Sequence, residues 1–170
     1  MRENALIRVI HACCAIACML AAASVSAQEV PEAENMALVG YNDLQAGSAY
    51  QPVVHEQFGR WIAYIGHHGR TNAVPTPLNP LTGSSEPNGT SILEVTDPRH
   101  PQYLAHIPGE PGLYEAGGAQ MVRVCDGKTL PRGDRKAVYL LRRFGYAAHE
   151  IWNTADPSVI RSWSPASSKA

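Results

Sequence analysis

Five side chains in this 170-residue chain have types and spacing that could do chemistry together: His67, His68, Glu115, Gln120 and His149. Imidazole and carboxylate are natural ligands for zinc, iron or copper, and His67, Glu115 and His149 would form the ligand set for such a transition metal. A neutral imidazole could equally take a proton from a bound substrate. Adjacent residues of an extended segment point to opposite faces, so only one of His67 and His68 can readily join the group. The Gly117-Gly118 pair would let backbone N–H groups come close to a ligand. No HExxH helix, no Gly-x-Ser-x-Gly elbow and no phosphate-cradling glycine loop accompanies them. The plainer alternative is that these histidines hydrogen-bond loop backbone and do nothing else.

Other reactive types have plainer readings. Asp97-Pro98 and Asp156-Pro157 read as structural turns, because Asp accepts backbone hydrogen bonds two residues on and Pro presets φ. Cys125, directly after the apolar context Met121-Val122-Arg123-Val124, reads as a buried or half-buried thiol rather than a nucleophile. Arg142-Arg143 reads as a solvated pair at a strand end. Trp61, Trp152 and Trp163 read as sheet packing.

What must position the five residues is a repeat. Thr90 to Pro98 and His149 to Pro157 are both short β-prone runs ending in Asp-Pro, each followed by a further strand, Gln102 to Ile107 and Val159 to Trp163. Upstream, Trp61 to Ile65 matches Val138 to Leu141, and Gln51 to His55 parallels Gln120 to Val124. Each unit therefore reads strand, strand, strand, Asp-Pro turn, strand. The second-strand runs are near-continuously apolar, as strands buried on both faces are. In such a meander the loop between strands two and three shares one end with the segment entering strand one. Gly66-His67-His68-Gly69, Glu115 to Gln120 and Gly145 to His149 then share a mouth. The loop 69–89 carries four prolines, and loops that long are usually functional or disordered.

Ser91-Ile92-Leu93-Glu94-Val95-Thr96-Asp97-Pro98, with Pro101 and Tyr103 after it, resembles the LVIVD repeat of exported and surface bacterial proteins. The resemblance covers residues 49–163. It departs at Asn153-Thr154-Ala155, where the family has a valine-rich segment. It implies an all-β fold: four-stranded antiparallel blades of a partial β-propeller. Two blades do not close a ring, which needs at least four. The expectation is an N-terminal fragment of a longer protein.

The N-terminus sets the compartment. Arg2 and Arg8 precede an apolar stretch, Val9 to Ala23, and small residues lead to Ala27. This predicts a signal-peptide helix cleaved after Ala27, hence a periplasmic, extracellular or cell-surface protein with no membrane span left after cleavage. Cleavage leaves Cys125 as the sole cysteine, so no internal disulfide can form. The expected organisation is signal peptide 1–27, lead-in 28–44, first blade 45–112, second blade 113–163 and tail 164–170. A formal net charge of -1 offers no basic footprint for nucleic acid. The leading functional expectation is a non-catalytic binding or surface scaffold whose partner is an envelope protein or glycan. The alternative is a metal-dependent envelope enzyme using the His/Glu cluster.

Overall fold

In the computed structural model the described residues are 34–44, 48–69, 71–72, 76–112, 119–146, 148–159 and 161–162, the last two by backbone only. The leader and its cleavage point, Glu115, Gly117-Gly118, Trp163 and the tail 164–170 lie outside them. Residues 1–37 and 38–170 are two units, and in the first only 34–37 are described, all exposed. Among the described residues no helix is long and apolar enough to cross a membrane.

The second unit is built of strands. They are β1 (Ala49–Gln57), β2 (Arg60–His67), β3 (Thr90–Glu94), β4 (Gln102–Ile107), β5 (Val122–Asp126), β6 (Val138–Phe144), β7 (Ala148–Asn153) and β8 (Arg161–Ser162). They form two four-stranded antiparallel meanders, β1-β2-β3-β4 (sheet I) and β5-β6-β7-β8 (sheet II). β1 and β2 are joined by Phe58-Gly59, both at positive φ (53° and 80°). That is the turn whose twist matches a two-residue hairpin. Both Asp-Pro turns are held by aspartate: Asp97 Oδ1 accepts the Arg99 N–H at 3.0 Å, and Asp156 Oδ1 accepts the Ser158 N–H at 3.1 Å.

The ladders fix which residues are equivalent. Val95 N–H donates to Trp61 O and Thr154 N–H to Val138 O, both at 2.8 Å. Ile62 faces Glu94 across the ladder as Tyr139 faces Asn153. Hence Ile62, Tyr64 and Ile92 of sheet I correspond to Tyr139, Leu141 and Ile151 of sheet II. In the first strands, Val53 pairs with Tyr64 and Arg123 with Leu141, so Val53 corresponds to Arg123 and His55 to Cys125. This is one residue off the match of Gln51–His55 with Gln120–Val124 expected from sequence. The difference matters because a one-residue slip exchanges the two faces of a strand.

The two sheets share one core. Ile62, Tyr64, Ile92, Ala105 and Ile107 from sheet I bury against Val122 and Leu140 of sheet II, with Val53, Val124 and Trp152 at the margin. Each fully buried aliphatic or aromatic side chain contributes about 1.5–3 kcal/mol of transfer free energy. Polar bolts set the registration. Tyr64 OH donates to Gln57 Oε1 at 2.7 Å and lies 3.0 Å from Thr154 Oγ1. Gln57 Nε2 donates to Thr154 O at 2.8 Å. Burial pushes the Tyr64 hydroxyl up to about 12, so it remains a protonated donor.

The other face of sheet I carries Ala63, Ile65 and Leu93, with Leu44, Val95 and Tyr103 packed against them. The other face of sheet II, with Cys125, Leu141 and Ile151, opens into an apolar groove of about 420 Å³.

Candidate functional site

The end of the two sheets away from the Asp-Pro turns gathers the segment after β2, the segment entering β5 and the β6–β7 turn. Ala119 N–H donates to His67 O at 2.9 Å, which lays residues 119–120 along the end of β2. Only glycine fits at position 66 beneath them: a Cβ there would stand 2.1 Å from Ala119 O and 2.5 Å from Gln120 O. This contact draws Gln120 to His68, and the amide Nε2 donates to His68 Nδ1 at 3.2 Å. Gln120 Oε1 faces Arg143 Nη1 at 3.5 Å. The edge of the Tyr50 ring meets the His68 ring at 5.0 Å between centroids.

Beside Gln120 lies a pocket of about 250 Å³, also lined by Arg123, Leu141, Arg143 and His149. His68, Gln120 and His149 thus sit around one mouth. Glu115 lies outside the described residues.

His67 turns the other way, because successive strand residues alternate faces. It is 1% exposed. Its Nδ1 donates to Ser48 O at 3.0 Å, an obligate acceptor, and this leaves Nε2 free to accept the Ser91 hydroxyl at 2.7 Å. Ser91 Oγ lies 2.8 Å from Tyr103 OH, which lies 3.3 Å from His106 Nδ1, and His106 Nε2 donates to Pro87 O at 3.1 Å. Burial is the main cause that drives His67 down to about 4, and burial also lowers His106, so His67 is neutral near pH 7.

A serine hydroxyl on an oriented imidazole is the arrangement of an activated nucleophile. Here the residues around it leave about 10 Å³, no more than a single water needs, and Ser91 is 1% exposed. The relay ties the loop before β3 onto sheet I rather than meeting a substrate. His67 therefore does not stand with His149 as a metal ligand. Among the described residues no group of three His, Cys, Asp or Glu side chains is arranged to hold a metal ion.

Two expectations change. Arg142 is not solvated: it is 1% exposed, donating to Ile107 O at 2.8 Å, Pro108 O at 2.6 Å and Glu150 at 2.7–2.9 Å. Its guanidinium lies against the Phe144 and Trp152 rings at 5.8 and 5.6 Å. Alternation turns Arg142 toward sheet I and leaves Arg143 on the open face. Trp61 is 49% exposed instead of packed between sheets, whereas Trp152 joins the core margin.

Arg123 and Arg143, at the mouth, were missed by sequence reasoning. Period-two alternation from Leu141 would have marked Arg143 as sharing its face; Arg123 is placed there by the ladder that pairs it with Leu141. No protein-family model, curated protein or solved structure matches this chain.

Proposed function

We propose that this chain is part of an exported scaffold of stacked four-stranded sheets, of the propeller kind and similar to LVIVD repeats. It holds a ligand, an envelope protein or glycan, at its mouth and has no reaction of its own. One observation carries the reading. In sheet I the face bearing His55, Ile62, Tyr64 and Ile92 is covered by sheet II. The register-equivalent face of sheet II bears Cys125, Tyr139, Leu141 and Ile151 beside Arg123, and forms an open, largely apolar groove walled by Leu130. Leu141 is 41% exposed there. In this fold the surface that covers the equivalent face of sheet I is another sheet, and an exposed apolar groove is where such packing would occur. The mouth loops would then be the variable part of a rigid frame, as in other scaffolds that carry function on loops.

Sedimentation velocity tests the stacking. The wild-type chain is expected to sediment above monomer mass, as open faces find one another, and Ile151→Arg to return it to monomer. A wild-type chain that stays monomeric at its highest soluble concentration, with β6 and β7 amides as slow to exchange as those of β2 and β3, would sink the reading.

A further inference from the structure

We propose that the mouth pocket of sheet II binds an organic anion, with a carboxylate or phosphate head between Arg123 and Arg143 and an apolar body along Leu141. This goes beyond the scaffold reading and needs no further sheet.

Three observations carry it. First, the pocket wall holds Arg123, Arg143 and His149 and no carboxylate among the described residues. Neither Arg123 nor Arg143 is in an ion pair with a described residue, whereas the neighbouring Arg142 is neutralised by Glu150. Neutral acceptors hold only part of each guanidinium: Arg123 Nη1 donates to Val122 O at 2.9 Å and Arg143 Nε to Gly145 O at 2.6 Å. Arg143 also lies against the Tyr146 ring at 4.9 Å, which orients its plane. The remaining N–H groups form the fork that grips a two-oxygen anion.

Second, the two sheets differ at this position. Arg143 stands in sheet II where Gly66 stands in sheet I. In sheet I the segment Ala119-Gln120 lies directly over that glycine. An arginine cannot be covered in the same way. At this end sheet II replaces a packed backbone with a cationic pocket, though the rest of its open face keeps the apolar pattern.

Third, the pocket and the apolar groove share Arg123 and Leu141, so they are one continuous surface. A ligand with its charge at the arginines can lay apolar atoms on Leu141 without crossing polar ground. Gln120, 7% exposed and held to both His68 and Arg143, links the mouth to the guanidinium.

The test is calorimetric titration of the full chain at low salt with octanoate, octyl phosphate and uncharged octanol. One or both anions are expected to bind, octanol at least about tenfold more weakly, and added NaCl to reduce anion affinity. Binding of octanoate alone assigns a carboxylate head and binding of octyl phosphate alone a phosphate head. Arg143→Gln and Arg123→Gln should each weaken anion binding at least about tenfold, while Arg135→Gln, an exposed arginine away from the pocket, leaves it unchanged. Arg143→Lys keeps the charge but loses the fork, and should lie between wild type and Arg143→Gln. Circular dichroism checks that each variant folds. If Arg143→Gln does not fold, Arg143→Lys decides. Equal binding of octanol and the anions overturns the proposal. So does failure of both anions to bind at millimolar concentration, or unchanged affinity in the folded Arg143 variant. Because a sheet stacked on Leu141 would cover the same surface, the titrations are run at concentrations where the chain sediments as a monomer; a monomer that binds neither anion overturns this proposal alone, and a chain that never associates yet binds them overturns only the stacking.

Discussion

Acid should weaken this fold before its carboxylates titrate, and His67 is the reason. Its imidazole is sealed and neutral, with a folded pKa of about 4 against 6.5 for an ordinary histidine. The unfolded chain therefore takes up a proton at this position before the folded chain can. Stability from the neutral imidazole is complete above pH 6.5 and lost as pH falls from 6.5 to 4; below that the group contributes no further slope. The loss is about 2 kcal/mol by pH 5 and about 3 kcal/mol by pH 4, from the difference in proton uptake at one site. Because the side chain is 1% exposed, little solvent screening reduces this. Burial lowers His106 as well, which adds loss of the same sign. The assay is urea unfolding of wild type and His67→Gln at pH 7.5, 5 and 4. The variant is less stable at pH 7.5, having lost the bond to Ser91, but its stability should fall less with acid. The wild type should lose about 2 kcal/mol more than the variant between pH 7.5 and 5. Parallel pH profiles for the two proteins would refute the argument, since every other group is common to both.

Replacing Gly66 by alanine puts a Cβ against backbone that cannot yield cheaply, and should cost about 1–3 kcal/mol, read as a lower Tm. The same substitution should release residues 119–120, seen as faster exchange of the Ala119 amide. Arg142→Met keeps the aliphatic bulk but strands two backbone carbonyls and half-buried Glu150; urea unfolding should show a loss of about 3 kcal/mol. Thr90→Val should do the reverse. The Thr90 hydroxyl is buried with no hydrogen-bond partner among the described residues, and replacing it with a methyl group should raise stability by about 1 kcal/mol, measured as a higher urea midpoint.

Much of the architecture is readable from residue order. Both strand-turn-strand runs around Asp97 and Asp156 place their aspartates where the side chain accepts a backbone N–H two residues on. The apolar runs at Trp61–Ile65 and Val138–Leu141 fall within β2 and β6. Such patterns are legible because turn chemistry and the burial of a strand are local: each residue meets its requirement within a few neighbours. The one-residue error in aligning β1 with β5 is of a different kind. Nothing along the chain states which residue of β1 faces Tyr64; hydrogen bonds across the ladder decide that, and β1 carries a register shift between Tyr50 and Val53. His67 and His68 could be predicted to diverge, but not which of them would be sealed.

By itself, then, the order of residues determined that two copies of a four-stranded meander form and where each one turns, because strand periodicity and Asp-Pro geometry act over short range. Tertiary structure alone decided that Arg142 is buried while Arg143 faces out, that His67 closes a relay with Ser91, Tyr103 and His106, and that one face of sheet II is open. Those outcomes depend on which surfaces come together across tens of residues, and the free energy of removing a charge or an imidazole from water is settled only by the partners it meets there.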